Sequence, residues 1–516
     1  MQPLHRTGED DPSPQVQAAL RHSRNGDHAA ALRAIVHALA VSEDLHSRAA
    51  FVACIRAIQF FEDNATVREL ILRALRENWG RPEDLALPAS DLIKAAGTGL
   101  ASLAQDDLLH TLLCVTSIPD AALETALTEA RSLLLRKPEG AHLRFHCALA
   151  QQCFLNEYLF AVTEKEQELA AQLERKLAMA LDRDLAIAPS QVAALACYRP
   201  VDDERVLKRR WPGSVTALLT QQLLEPREER ILAASMPRLT GLSDRVSRRV
   251  AQQYEDNPYP RWVMAGPRAQ AAADSGISDI LVAGCGTGRN AVETAQSFPF
   301  ARVLAVDISR ASLAHAARKA REMDVTNITY AQADILELGM IDRRFDLIEA
   351  VGVLHHLEHP LAGWRVLLGL LKPGGVMKLG LYSGAARRVL VHARAELVAQ
   401  GFDASAQGLR RARHYLRSRP EHAEVTQRPD FFALSNCRDL LFHVQESHFS
   451  LPVIAQFLRD HRLSLLGFDL APSLLENYRQ RFPEDPRALD LDNWNRLESE
   501  NSSLFEGMYQ FWVQAS

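Results

Sequence analysis

A glycine-rich turn directly after an apolar run is the feature of this sequence best suited to binding chemistry. Residues 280–283 predict a short buried strand, and the sequence G-C-G-T-G follows at 284–288. Such a turn lets the backbone approach a ligand closely and points amide groups at it. Arg289 stands where the nicotinamide-binding pattern G-x-G-x-x-G has its third glycine, which argues against a nicotinamide site.

Two adjacent histidines are candidates for proton transfer. His355 and His356 follow the apolar run 345–350, at the predicted carboxyl edge of a sheet, where α/β proteins bind their ligands. Either ring could act as a general base or orient a substrate. The alternative is that the pair only packs at the start of a helix. The sequence therefore offers His356 and His355 as catalytic candidates.

A further polar group lies downstream at His443, Glu446 and His448. A glutamate with a neighbouring histidine could bind a metal or relay a proton. The spacing H-x-x-E-x-H fits no strong metal pattern, so the sequence predicts no metal site and favours a hydrogen-bonded cap.

The elements that must position these residues change character near residue 279. Short apolar runs alternate with helical stretches at 280–283, 302–307, 328–333, 345–350 and 376–382, which predicts a βαβ series and a parallel sheet covered by helices. Two more strands are predicted at 463–470 and 508–514. Residues 384–462, which separate the fifth predicted strand from the sixth, predict a mostly helical insertion.

The ordered set of features over residues 280–382 resembles class I methyltransferases that use S-adenosylmethionine (SAM). The G-x-G-x-G loop and the turn L-K-P-G-G at 371–375 match that family. The resemblance implies that Asp307 accepts hydrogen bonds from the ribose hydroxyls and that Asp334 contacts the adenine amine. It implies SAM as the cofactor, held by Gly284, Cys285, Gly286, Gly288, Asp307, Ile308, Asp334, Ile335 and Val351.

One departure from the family concerns the methionine end of SAM. The family usually has an acidic residue two positions before the first glycine, and this sequence has Val282. We expect the segment before the first strand to act as a lid that replaces the acid, with Arg261 meeting the SAM carboxylate. An interdomain linker with packed aromatics is the alternative. The residues expected to close over SAM with Arg261 are Tyr254, Asn257, Tyr259 and Trp262.

The first half of the chain predicts helices, because its apolar residues recur at spacings of three and four. The turn N-G-D at 25–27 and small residues at Ala31 and Ala38 resemble the middle of one tetratricopeptide repeat. The sequence T-E-K-E at 163–166 predicts a capping box. Further blocks resemble bacterial tetratricopeptide-type methyltransferases with an amino-terminal helical domain, at 153–158, 253–262, 441–446 and 507–512.

The resemblance implies an α + α/β chain. We expect a disordered tail at 1–14, a degenerate tetratricopeptide-like α-helical domain at 15–247, a lid or linker at 248–277, and a methyltransferase domain at 278–516. The last is expected to be Rossmann-like, with a mostly parallel seven-stranded sheet and the insertion at about 384–462.

Composition narrows the functional classes. A formal net charge of -5 over 516 residues does not favour nucleic acid as a partner, although arginines crowd residues 410–419. The seven cysteines contain no C-x-x-C pair, so a zinc ribbon or dithiol motif is unsupported. No apolar run approaches the roughly 18 residues of a membrane span, and the polar first residues resemble no signal core. A cytoplasmic protein is expected.

Three functions are consistent with these features. The favoured one is a SAM-dependent methyltransferase whose helical domain recruits a protein or peptide substrate, because helical arrays present extended surfaces to polypeptides. The second is a small-molecule methyltransferase. The third is a non-catalytic helical scaffold with a SAM-binding domain, against which the intact glycines, Asp307 and Asp334 argue.

Overall fold

A computed structural model describes residues 12–138, 140–256, 258, 260–267 and 276–515. Most of the predicted tail 1–14, together with Asn257 and Tyr259 of the expected lid, therefore lies outside the described residues. Within these ranges no helix is both long enough and apolar enough to cross a membrane.

Helices occupy the chain up to Asp256, as the apolar spacing predicts. They are α1 (Pro14–Arg24), α2 (His28–Val41), α3 (Leu45–Ile55), α4 (Ala65–Arg76), α5 (Pro82–Ala96), α6 (Leu100–Leu103), α7 (Asp107–Val115), α8 (Ala121–Arg136), α9 (Leu143–Leu155), α10 (Glu164–Asp182), α11 (Pro189–Ala196), α12 (Gly213–Leu219), α13 (Glu225–Ser235) and α14 (Arg245–Asp256). A π-helical turn, Thr220–Leu224, joins α12 to α13.

Polar side chains start many of these helices by accepting otherwise unpaired backbone N–H groups. Asp27 accepts from the Ala30 amide at 3.0 Å after the Gly26 turn. Thr163 and Glu166 form the predicted capping box, which is confirmed. Ala31 and Ala38 are buried where α1 packs on α2. The tetratricopeptide-like character of this region stays a prediction.

The second half of the chain forms a seven-stranded sheet with helices and an inserted helical segment. Its elements are β1 (Asp279–Ala283), α15 (Arg289–Ser297), β2 (Arg302–Asp307), α16 (Arg310–Glu322), β3 (Ile328–Gln332), β4 (Phe345–Val351), α17 (Pro360–Gly369), β5 (Leu371–Tyr382), α18 (Arg388–Ala399), α19 (Ala406–Arg417), α20 (Ala423–Thr426), α21 (Leu434–Phe442), α22 (Leu451–Asp460), β6 (Leu463–Phe468), α23 (Pro472–Arg481), α24 (Leu491–Glu500) and β7 (Met508–Ala515).

The strand order is β3-β2-β1-β4-β5-β7-β6. Pairings among β1 to β5 are parallel, whereas β7 runs antiparallel to both β5 and β6. The sheet is therefore mixed, which corrects the expectation of a mostly parallel sheet. The reason is topological: β7 inserts between β5 and β6, and its apolar pattern alone does not reveal its direction.

Both faces of the sheet are buried. Along β1, Leu281 and Ala283 belong to one apolar core, while Ile280 and Val282 belong to the core on the opposite face. This division follows from the two-residue period of a strand and explains why the run is continuously apolar. The helical region and the insertion each have a separate core.

The helical region is joined to the sheet domain earlier than residue 247. Helix α13 packs on α16, and the segment after α13 extends the sheet beside β3. There the Leu239 amide donates to the Gln332 carbonyl at 2.9 Å, and the Gln332 amide donates to the Pro237 carbonyl at 2.7 Å. Residues 225–239 therefore already contact the sheet domain.

Ion pairs lock the domains together. Glu124 of α8 accepts from Arg413 at 2.6 Å and from Arg417 at 2.9 Å, both on α19. Arg81, which precedes α5, pairs with the buried Glu293 of α15. The arginines at 410–419 thus serve a domain contact in part, since Arg413 is buried there.

Candidate functional site

A cavity of about 250 Å³ opens at the carboxyl edge of the sheet. Ligands of open α/β sheets bind at this edge. The residues predicted to bind cofactor or substrate that line it are Tyr254, Gly284, Cys285, Gly286, Asp307, Ile308, Asp334, Ile335, Val351 and His356. Gly288, Arg261 and His355 are not among the lining residues.

The glycine loop leaves β1 in a backbone conformation that favours glycine. Gly284 has φ +70°, and a Cβ there would lie 2.2 Å from the Val353 side chain. Gly288 has φ +85°, and its missing Cβ would lie 2.2 Å from Cβ of Ala316 on α16. Gly288 therefore permits helix packing and does not contact the cavity.

Asp307 holds the glycine loop and faces the cavity. Its Oδ2 accepts the Gly286 amide at 2.8 Å, and its Oδ1 accepts the Ser309 amide at 2.9 Å. Burial raises the pKa of this carboxyl against the effect of both amides. Each oxygen keeps an acceptor position, which suits a pair of hydroxyl donors.

Asp334 has a buried oxygen with no hydrogen-bond partner in the described part of the chain, Oδ2. Its Oδ1 accepts the Leu336 amide at 3.0 Å, and its own amide donates to Thr240 at 2.8 Å. Burial raises the pKa of Asp334, and the Ser247 hydroxyl opposes that rise. The unsatisfied oxygen fits an amine donor such as that of adenine.

SAM affinity is expected to fall on mild acidification. The pKa values of Asp307 and Asp334 are raised above 3.8, and donors from the ligand require their ionised forms. Affinity should be complete well above the raised values and should be lost as the pH falls through them. Titration calorimetry from neutral to acidic pH measures this; constant affinity down to about pH 4 would contradict it.

Two further lining residues, Tyr254 and His356, belong to a connected set of proton donors and acceptors. Tyr254, on α14, donates to Asp439 Oδ1 at 2.8 Å and lies 3.1 Å from His443 Nε2. His443 Nδ1 accepts the Gln445 amide at 3.0 Å, so its proton is on Nε2 and points at Tyr254. The insertion therefore supplies half of this site.

His356 has a fixed tautomer. Its Nδ1 donates to the Gln445 carbonyl at 2.9 Å, which leaves the lone pair on Nε2. The ring stacks on His443 with centroids 3.8 Å apart and lines the cavity. Burial lowers the pKa of His356, with the nearby Asp439 opposing, so the ring is neutral at neutral pH.

One atom each from His356, Asp439 and His443 lies within 4.8 Å of the other two, a spacing compatible with a metal ion. The hydrogen bonds do not fit this use, because the Gln445 amide occupies Nδ1 of His443 and places a proton on Nε2. A ligating nitrogen must carry a lone pair. The arrangement fits a proton-transfer network better.

His355 differs from its predicted role. It is fully buried, stacks on Tyr382 at 3.6 Å, and neither ring nitrogen has a hydrogen-bond partner among the described residues. Burial lowers its pKa well below the usual value. We therefore correct the assignment: His355 packs behind the cavity wall and does not reach the cavity.

A buried ion cluster lies within the insertion, beside Tyr382 of β5. Glu446 accepts hydrogen bonds from Arg387 Nε at 2.8 Å and Arg387 Nη2 at 2.9 Å. It accepts a third from Arg394 Nη2 at 2.9 Å. These cations and the His448 hydrogen bond hold the pKa of Glu446 far below its usual range. The Arg387 guanidinium lies 3.6 Å from the ring centre of Tyr382, a cavity residue. Glu446 and His448 thus form hydrogen bonds beside the cavity residue Tyr382, as the hydrogen-bonded alternative predicts.

The segment before β1 forms a wall, which we define as residues 260–262. Trp262 is buried and donates from Nε1 to the Thr287 carbonyl at 2.8 Å, while Thr287 donates to the Pro260 carbonyl. Trp262 shares an apolar core with Val282. A valine replaces the usual acid because that position faces an indole-lined core.

The structure gives Arg261 a different partner from the expected SAM carboxylate. Arg261 Nε donates to Glu157 at 3.0 Å, and its guanidinium lies over Phe154. Glu157 also accepts the Ser435 amide at 2.6 Å. Arg261 therefore joins the helical region to the insertion, and a nearby carboxylate satisfies its charge.

Arg261→Ala should leave the SAM dissociation constant within about twofold and should cost about 1–2 kcal/mol of folding stability, since Glu157 loses a charged partner. Calorimetric SAM titration and denaturant unfolding measure the two effects. The control is Arg343→Ala, whose charge is half-exposed beside Asp279. A tenfold loss of SAM affinity specific to Arg261→Ala would restore the lid assignment.

The cavity also has residues that the sequence did not single out. Ser247 and Val250 come from α14, and Tyr382 and Met508 come from β5 and β7. The helical period of α14 places Ser247, Val250 and Tyr254 on one face, which is the signal that could have identified it as a cavity wall.

The part of the chain that matches known proteins contains several of the cavity residues. Residues 280–375 match a family model described as "Methyltransferase domain". An uncharacterized protein of Synechococcus sp. is 29% identical over 254 residues, 44% of this chain and 61% of that protein. Trans-aconitate 2-methyltransferase of Deinococcus radiodurans is 38% identical over 104 residues, 19% of this chain and 36% of the enzyme. This chain thus spans less than two thirds of either relative.

Among solved structures, PKMT2 from Rickettsia typhi in complex with AdoHcy aligns at 16% identity and a TM-score of 0.37, over 52% of each chain. The matched residues 280–375 contain the glycine loop, Asp307, Asp334 and His356. This part of the chain is a methyltransferase domain, and its cofactor is SAM.

Proposed function

We propose that the whole chain is a methyltransferase that acts on an acceptor with a removable proton, with His356 as its general base. The observation that carries the proposal is one cavity that is lined by Asp307, Asp334 and His356, whose Nε2 holds a lone pair. SAM supplies a methyl group on a sulfonium, an activated leaving group. The protein aligns the acceptor and excludes water.

The residues at the acceptor end can receive one proton per turnover. The acceptor atom forms a bond to the methyl carbon as the carbon–sulfur bond breaks, and its proton passes to His356 Nε2. The Gln445 carbonyl keeps the ring in the required tautomer, and Asp439 lies close enough to stabilise the cationic ring. Tyr254 orients Asp439 through a hydrogen bond of 2.8 Å.

For the acceptor, we propose a protein or peptide side chain recruited by the helical region. Large apolar side chains remain exposed at consecutive connections there: Val41 is 64% exposed, Leu45 71% and Phe61 82%. Exposed apolar surface of this kind favours a protein partner. The α14 face opposite the cavity also has exposed arginines, at 245, 248 and 249, which would attract an acidic sequence.

A small-molecule acceptor is the second candidate, and the name trans-aconitate 2-methyltransferase of one relative favours it. The deciding experiment supplies radiolabelled methyl SAM to the purified protein with fractionated lysate. Counts retained on a protein gel would support the first acceptor class, and counts only in the soluble small-molecule fraction would support the second. No transfer to either fraction, with SAM bound, would contradict the enzymatic proposal.

A further inference from the structure

A second cavity of about 290 Å³ lies at the junction of the helical region with the sheet domain. The wall separates it from the first cavity: Pro260 lines the first, whereas Arg261 and Trp262 line the second. Its volume is close to the lower end of ligand pockets, and domain junctions are frequent positions for them. The proposed methyl transfer does not use this cavity.

The charged residues that line this cavity are two carboxylates, Glu225 and Glu229, and three cations, Arg261, Arg318 and Lys319. Arg318 of α16 pairs with Glu225 at 3.0 Å, Glu229 at 2.9 Å and Glu322. Lys319 pairs with Glu322 at 2.7 Å, and the charge of Arg261 is matched by Glu157. Each cation of the lining therefore already has a carboxylate partner. Burial raises the pKa of Glu225 despite Arg318, so an additional cation would favour its ionised form.

Two buried acceptors in the lining have no hydrogen-bond partner in the described residues, Gln221 Oε1 and His315 Nε2. The two residues are only 8% and 5% exposed. His315 Nδ1 donates to Glu229 at 2.8 Å, and burial lowers the pKa of His315, so Nε2 of the neutral ring holds a lone pair. An unsatisfied buried acceptor costs about 1–3 kcal/mol, and a donor from a ligand would remove that cost.

The backbone around Gln221 is unusual as well. Gln221 lies in the π-helical turn Thr220–Leu224 between α12 and α13. Such turns are rare and often occur at functional sites, because the extra residue re-aims side chains. Apolar groups, including Phe154 and Trp262, form the rest of the lining.

We propose that this second cavity binds a small organic cation with a primary ammonium group and an apolar body. The ammonium donates to Gln221 Oε1 and His315 Nε2, and the nearby carboxylates of Glu225 and Glu229 balance its charge. The apolar body lies against Phe154 and Trp262, whose ring faces also favour a cation. A carboxylate ligand is disfavoured because an ionised carboxylate offers no hydrogen-bond donor to either acceptor.

Benzylamine is the test probe, because it combines an ammonium group with a compact apolar ring. We expect saturable binding to the full-length protein by titration calorimetry, with a dissociation constant below about 10 mM. Benzyl alcohol and benzoate are the matched neutral and anionic probes, and we expect each to bind at least tenfold more weakly.

Variants separate specific recognition from a general apolar cavity. Gln221→Leu and His315→Phe should each weaken benzylamine binding at least fivefold, whereas Gln221→Glu, which keeps an acceptor and adds charge, should retain or tighten it. Gln296→Leu is the control, because Gln296 Oε1 is also an unsatisfied buried acceptor but is not in the lining. SAM binding and thermal unfolding verify that each variant is folded.

Three results would overturn the proposal. They are no benzylamine binding at about 10 mM, equal binding of benzyl alcohol, or unchanged binding in the folded variants Gln221→Leu and His315→Phe. If either Gln221→Leu or His315→Phe unfolds the protein, the remaining variant decides the outcome together with benzyl alcohol and benzoate.

Discussion

Asp307→Ala is expected to raise the SAM dissociation constant about 100-fold, equivalent to about 2.7 kcal/mol. The substitution removes an acceptor for two ligand hydroxyls, and each charge-assisted hydrogen bond contributes more than a neutral one. It also frees the Gly286 amide, which Asp307 holds at 2.8 Å, so the loop that surrounds the cofactor loses its anchor. Titration calorimetry measures the change.

Asp307→Asn keeps one acceptor oxygen. Its SAM dissociation constant should therefore rise about tenfold, to a value between those of the wild type and the alanine variant. Asp346→Ala is a matched control, because Asp346 is bound by Lys372 at the opposite end of the strands. If Asp307→Ala binds SAM as tightly as the control does, the ribose contact is misassigned.

His356→Gln is expected to lower kcat about 100-fold or more while SAM affinity stays within about twofold. The expectation follows from the lone pair on Nε2, which glutamine cannot supply as a base. Because the pKa of His356 is lowered from 6.5, wild-type kcat should stay constant through neutral pH and fall only as the pH drops below that value. The variant should lose this acidic limb.

Single-turnover kinetics over pH separates these effects, and added imidazole should restore part of the lost rate. His359→Gln is the control, since His359 is exposed at the start of α17 and should leave kcat unchanged. A His356→Gln enzyme with wild-type kcat and the same pH profile would show that the acceptor reacts without this base.

The cofactor end of the site could be predicted because its determinants are local. A strand, a glycine turn and a carboxylate at the end of the next strand are each readable within a few residues, and parallel strands bring their carboxyl ends to one edge. The acceptor end could not be predicted in this way. Asp439 and His443 reach Tyr254 from an insertion almost two hundred residues away in sequence.

The errors have the same physical origin. The sequence suggests that Arg261 pairs with the carboxylate of SAM. In the structure it pairs with the carboxylate of Glu157, which belongs to the distant helical region. His355 and His356 are adjacent in sequence, and contacts with distant elements distinguish them: His355 stacks on Tyr382, whereas His356 binds the Gln445 carbonyl. The direction of β7 likewise depends on its neighbours β5 and β6.

The wall at residues 260–262 has two faces, and this has a thermodynamic consequence. Thr287 and Trp262 tie it to the glycine loop on one side, while the same indole lines the second cavity on the other. If an occupant of the second cavity changes SAM affinity by shifting the wall, linkage requires that SAM change the affinity for that occupant by the same factor. Benzylamine titrations with and without saturating SAM would measure that coupling factor from either direction.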